Sequence, residues 1–157
     1  MKSFTDLVQE SLQEIEELFP WDLAEKLEDA YSTMLLLDIR EPAEFAAAHI
    51  PGSISVPRGV LESACDWGYD DTIPALVEAR EKEVIVICRS GNRSALAALT
   101  MKQMGYKNPI SLKTGLRGWN DFEQLLVDSS GSEVDVDDAD EFFASKVSPE
   151  QMGPQAE

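Results

Sequence analysis

The sequence predicts an α/β domain built on a small, mostly parallel central sheet. Three observations carry that expectation: short apolar blocks sized for strands buried on both faces, helical segments between them, and a length that suits one domain. The chain has 157 residues, of which 43% are hydrophobic, and it carries nine glycines. Domains run at about 100–200 residues, so one core with short extensions fits and two full domains do not.

The elements follow in order. Phe4, Val8, Leu12, Ile15 and Phe19 recur at helical spacing, with Ser3 and Asp6 placed as a capping pair and Pro20 as a stop. A helix through that stretch is expected, and a second over residues 21–28. Residues 34–37 form an apolar block bounded by charge, a strand covered on both faces. Residues 41–49, with Pro42 near the start, read as helix; Pro51-Gly52 breaks it, and residues 54–56 give a short strand. An irregular stretch follows, with a short helix at 60–64 and another helix at 73–82. Residues 84–87, Val-Ile-Val-Ile, are the clearest strand in the chain. After a turn at 88–92, residues 93–104 read as a helix rich in small side chains, with Gly105 as its C-terminal cap. A strand at 110–112 and a closing helix at 119–127 complete the pattern.

Residues 129–157 differ in composition. They open on Ser129-Ser130-Gly131-Ser132 and hold eight acids against one Lys. Their composition suits a flexible acidic tail, although Phe142, Phe143 and Val147 could form a helical turn that docks back or onto a partner. The expected organisation is an amphipathic helical extension at 1–19, the domain at 20–128 and the acidic tail at 129–157.

Composition excludes several functions. The net charge of −17 argues against a general nucleic-acid surface or an acidic membrane surface. No apolar run approaches the ~20 residues of a membrane span, and the N-terminus lacks a secretory signal pattern. Cys65 and Cys88 cannot build a disulfide framework, so a cytoplasmic location is expected. With His49 as the single histidine, the chain cannot close a zinc site of four Cys and His ligands, and no metal is expected.

Residues 84–119 contain no acid and six bases: Arg89, Arg93, Lys102, Lys107, Lys113 and Arg117. The other 121 residues carry −23. Such an island is either a solvated cluster or a place where an anion is handled. Within it the turn Cys88-Arg89-Ser90-Gly91-Asn92-Arg93-Ser94 joins the best strand to the best helix. Loop N–H groups and a helix N-terminus there make an anion site. A cysteine at that position should have its thiolate, the nucleophilic form, stabilised. Gly91 supplies the backbone freedom the loop needs.

These motifs resemble the rhodanese-like sulfurtransferases. The resemblance spans residues 23–126 and rests on Leu37-Asp38-Ile39-Arg40 with Glu44-Phe45, His49-Ile50-Pro51-Gly52, the Cys88–Ser94 loop, and Gly115-Leu116-Arg117-Gly118-Trp119, in the family order. It implies a rhodanese-like fold with about five strands and helices on both faces. It also implies that Cys88 takes sulfur from an anionic donor such as thiosulfate and holds it as a persulfide. Cyanide or a thiol then accepts it, without a bound cofactor. Arg89, Ser90, Gly91, Asn92, Arg93 and Ser94 would form the persulfide loop. Asp38, Arg40, Glu44, His49, Gly115, Gly118 and Trp119 would be structural, with an Arg40–Glu44 pair fixing the strand-to-helix turn. Arg58 is a candidate pocket residue. Cys65 is either a resolving cysteine or an incidental thiol.

Two other readings are a docking or persulfide-carrier module in a sulfur relay, and a Cys-loop phosphatase or arsenate reductase. Cys88 and Arg93 enclose four residues, one fewer than the tyrosine-phosphatase signature, which favours a cradle for sulfur over one for phosphate.

Overall fold

A computed structural model describes residues 1–29 and 32–154. Helix α1 (Phe4–Leu12) opens on a complete capping box, in which Ser3 and Asp6 bond each other's backbone N–H. Strand β1 (Glu16–Leu18) and helix α2 (Pro20–Glu28) follow. Next come β2 (Leu35–Asp38), α3 (Pro42–Ala47) and β3 (Ile54–Ser55), then a 3-10 turn (Arg58–Val60) and the short helices α4 (Leu61–Ala64) and α5 (Pro74–Val77). The second half holds β4 (Glu83–Ile87), α6 (Asn92–Gln103), β5 (Asn108–Leu112), α7 (Gly115–Asp121) and α8 (Val136–Phe143). Among the described residues no helix is long and apolar enough to cross a membrane.

The sheet has five parallel strands in the order β1-β5-β4-β2-β3. Side chains alternate along each strand. Val84 and Val86 join Leu37, Ala97 and Met101 in one core layer, while Ile85 and Ile87 join Leu36, Leu112, Leu116 and Trp119 in the other. The chain runs outward from β2 to β3, then crosses back to β4 and on to β5. The strand order reverses between β2 and β4, and ligands in such sheets bind beyond the carboxyl ends of the strands at that point. Cys88 follows β4 there.

Four expectations are corrected. The helix expected across residues 4–19 ends at Leu12, and Glu16–Leu18 pairs in parallel with β5, Glu16 opposite Ile110 and Leu18 opposite Leu112. The unpaired backbone groups along β5 take a strand, and this outweighs the helical spacing of Ile15 and Phe19. The helix expected at 73–82 is the single turn Pro74–Val77. The closing helix begins at Gly115, four residues earlier than expected, and ends at Asp121. Finally, residues 136–143 form a docked helix instead of a flexible tail: Ala139 and Phe143 are buried in the second core layer, and Asn120 Nδ2 donates to Val136 O at 3.0 Å.

Candidate active site

Cys88 sits where β4 ends, and α6 starts four residues later. Its Sγ accepts the Gly91 N–H at 3.1 Å and the Ser94 N–H at 3.3 Å. Ser94 Oγ also lies 3.3 Å from the sulfur. Ser94 is the third residue of α6, so one donor is an N–H of the first turn, which has no partner within the helix. Gly91 caps the helix with φ +92°, in the left-handed region. A Cβ there would lie 3.2 Å from Thr114 N and 3.3 Å from Leu112 O.

The loop is held from outside by the start of α7. Leu116 N–H donates to Cys88 O and Arg117 N–H to Arg89 O, each at 3.0 Å. Gly115 makes this approach feasible: at φ +58° a Cβ would lie 2.5 Å from Cys88 O and from Arg89 C and O. At Gly118 a Cβ would collide with the Thr114 side chain, and Trp119 Nε1 donates to Leu125 O at 3.1 Å. These residues shape the loop's support and lie outside the sulfur cradle.

The charged residues around the loop pair differently from the expectation. Arg40 bonds Asp38, with Nη2 2.8 Å from Oδ2 and Nε 2.9 Å from Oδ1, and Nη2 also donates to Ala48 O at 2.7 Å. Both side chains are buried. Glu44, expected opposite Arg40, instead receives both terminal nitrogens of Arg93 at 2.9 Å. The reason is geometric: Arg40 turns back along its own strand end, which leaves Glu44 on α3 facing the first turn of α6. Arg93 is thus committed to a planar two-bond pair that fastens α6 to α3. Arg58 is held by Glu62 at 2.8 Å and by Thr100 Oγ1 at 3.0 Å. Arg89 Nε is buried with no hydrogen-bond partner among the described residues.

His49 is tied into the scaffold. Its Nδ1–H donates to Phe45 O at 2.7 Å, its ring stacks on Phe45, and its backbone exchanges two bonds with Val127. Of the basic island, Lys102 donates to Glu14 O and Lys113 lies over the Phe19 ring. Lys113 also borders a cleft of about 410 Å³ between α1 and the loop, lined by Val8, Gln9, Leu12, Ser90, Gly91 and Asn92 among others. A larger cleft, about 630 Å³, lies along the β1 edge of the sheet among Glu16, Glu17, Asp22, Glu25 and Glu83. Its acids would repel an anionic donor, and it does not include the cysteine loop.

The Glu44–Arg93 pair predicts a pH effect. Arg93's hydrogen bonds hold the Glu44 carboxyl below the usual carboxylate range, against an opposing push from partial burial. A carboxyl depressed in the folded state stabilises the fold above its unfolded value, ~4.3, and loses that contribution as pH falls through the lower folded value. The stability gap between wild type and Glu44→Gln should therefore be steady from about pH 7 to about pH 5.5 and shrink below about pH 4. Denaturation midpoints across that range measure it, and a gap that does not narrow would remove the pair from the stability account.

Two residues of the site were not legible in the sequence. Ser111 on β5 is fully buried, and its Oγ lies 2.7 Å from Ser94 Oγ. Thr114, with φ +67°, supplies the turn that brings α7 onto the loop.

The family model for the rhodanese-like domain matches residues 20–122. The chain belongs to the rhodanese-like domain family. This rhodanese-like chain is 37% identical over 92 residues to YrkF of Bacillus subtilis, a protein named as a candidate sulfur carrier; the match covers 58% of the chain and 44% of YrkF. The chain thus spans under half the length of that relative. It is 30% identical to a sulfurtransferase of Allochromatium vinosum, over 67% of the chain and 88% of the relative. Among solved structures, a Rhodopseudomonas palustris protein of unknown function, described as a possible tyrosine phosphatase, aligns with a TM-score of 0.73 and 31% identity over 79% of this chain and 93% of its own.

Proposed function

We propose that this rhodanese-like domain is a sulfurtransferase that moves a sulfane sulfur from a small anionic donor such as thiosulfate to a nucleophilic acceptor through a Cys88 persulfide. The observation that carries the reading is the pair of backbone N–H groups on Cys88 Sγ. A buried anion is tolerated only where donors face it, and hydrogen bonds to charged groups contribute about 1.5–3 kcal/mol each. The thiolate attacks the outer sulfur of thiosulfate, the S–S bond breaks, and its electron pair leaves with sulfite. The outer sulfur stays on Cys88 as an anionic persulfide, which the same N–H groups stabilise. An acceptor, cyanide or a thiolate, then attacks the terminal sulfur and releases the Cys88 thiolate. No external oxidant or reductant is consumed, and the cysteine itself carries the sulfur, so no resident cofactor enters.

Arg89, whose Nε has no hydrogen-bond partner among the described residues, is the loop cation that meets the donor's charge; Arg93 acts by fastening the loop. Exposure to thiosulfate should add one sulfur atom to the protein mass, and cyanide should remove it. Repeated turnover with cyanide supports an enzyme. Loading without turnover supports the second reading, a carrier in a sulfur relay, which the likeness to YrkF favours.

Phosphatase chemistry is the reading to test against. Four residues between Cys88 and Arg93 leave few inward N–H groups, and Gly91 and Ser94 direct theirs at the sulfur. Losing one donor to a developing charge costs ~10²–10³ in rate. Aryl phosphate hydrolysis should therefore be negligible beside thiosulfate turnover. Efficient hydrolysis through Cys88 would overturn the proposed reaction.

A further inference from the structure

Beneath the loop two serine hydroxyls stand in line with the reactive sulfur. Ser111 Oγ lies 2.7 Å from Ser94 Oγ, and Ser94 Oγ lies 3.3 Å from Cys88 Sγ. Ser94 and Ser111 are fully buried, and Cys88 is only 1% exposed. Ser111 lies opposite Val86 in the β4–β5 ladder, with Ile110 and Leu112 on either side pointing into the other core layer. A hydroxyl in the middle of a covered strand is costly unless bonded, and the side-chain bond of Ser111 runs to Ser94.

We propose that Ser111 is a positioning residue for sulfur transfer, whose hydroxyl sets the direction of the Ser94 O–H on Cys88. Each hydroxyl has one proton to donate and two lone pairs to accept with. While Cys88 is a thiol, its S–H donates to Ser94 Oγ and Ser94 donates to Ser111. When the sulfur becomes a thiolate or a persulfide it can only accept. Ser94 then turns its O–H to the sulfur, and Ser111 turns its own to Ser94 Oγ. The 2.7 Å contact is satisfied in both states. The second donor also polarises the Ser94 O–H and strengthens its bond to the anion. The thiol proton leaves to solvent; the serines rotate and do not carry it away. With alanine at 111, Ser94 loses the donor that supports its turned state.

The inference rests on the Cys88 chemistry proposed above, and its test has an arm that does not. Alkylation of Cys88 by iodoacetamide, in a Cys65→Ser background, reads thiolate reactivity with no sulfur donor present. Ser111→Ala should slow both alkylation and sulfur loading by about five- to tenfold, the size of one hydrogen bond, while the half-saturating thiosulfate concentration stays within about twofold. Ser111→Thr, which keeps the hydroxyl, should restore most of the rate. Ser111→Val, which has the shape of threonine but no hydroxyl to donate, should behave like alanine and separates bonding from packing if Ser111→Ala folds poorly. In a Ser94→Ala background the Ser111→Ala change should cost nothing further, because Ser111 acts through Ser94. Wild-type rates in Ser111→Ala, or full additivity with Ser94→Ala, would overturn the proposal. A wild-type protein that alkylates normally but never takes up sulfur would overturn the reaction instead, and the alkylation series alone would then decide Ser111.

Discussion

Cys88→Ser is expected to abolish sulfur loading, with no mass added by thiosulfate and transfer to cyanide at background. A serine hydroxyl stays protonated at neutral pH and cannot hold a persulfide, so nothing in the cradle remains to react. Cys65→Ser should keep most of the activity. The two thiols are free and unbonded to each other, and Cys65 is fully buried at the C-terminal cap of α4. Burial pushes its thiol above the ordinary cysteine range, with a smaller opposing effect from the Tyr106 hydrogen bond. It is therefore a poor nucleophile and a poor resolving partner. If Cys65→Ser lost all transfer with its fold intact, a disulfide relay between the two cysteines would replace the single-cysteine mechanism.

Phe143→Ala should destabilise the whole domain by about 3–5 kcal/mol, the usual cost of emptying a large buried aromatic site. Phe143 is 1% exposed and packs with Leu126, Trp119 and Ala139 in the second core layer. Its ring centroid lies 6.0 Å from Arg40 Cζ, so it also covers the buried Asp38–Arg40 pair. Arg40 Nη1 has no hydrogen-bond partner among the described residues, and solvent entering there would rearrange the strand end beside Cys88. Phe142→Ala is the control. Phe142 is 37% exposed, and its loss should cost under about 1 kcal/mol. Urea midpoints with matched slopes measure both. Equal, small effects at the two positions would mean that α8 contributes nothing to the fold.

The core strands were legible because their cause is local. Val84-Ile85-Val86-Ile87 is too β-branched and too short to be anything but a covered strand, and it is β4 at the middle of the sheet. The capping box at Ser3 and Asp6 was equally readable, since both partners lie within one turn. Glu16–Leu18 was not. Its helical spacing points one way, but the exposed edge of β5 lies almost a hundred residues downstream and decides the other. The acidic tail stayed open between a flexible segment and a docked helical turn for a similar reason: Ala139 and Phe143 are few among many acids, and only a waiting surface of Leu126 and Trp119 makes them count.

The site divides along the same line. The sequence alone determined the candidate loop, because a strand, a tight glycine turn and a helix start within seven residues place Cys88 under helix N–H groups whatever surrounds them. It also marked Gly91 as a position needing backbone freedom, whereas the close backbone approach at Gly115 and the Thr114 side chain against Gly118 are set by how α7 meets the loop. Only the tertiary structure decided which charges pair. Asp38, Arg40, Glu44 and Arg93 offer several salt bridges on paper, and the choice of Arg40 with Asp38 and Arg93 with Glu44 depends on how α3 and α6 meet across the strand ends. It likewise decided Ser111. Alternation along β5 can say which face a serine takes, but the partner on that face is set by the neighbouring strand and the helix packed above it, and no local rule in the chain carries that information.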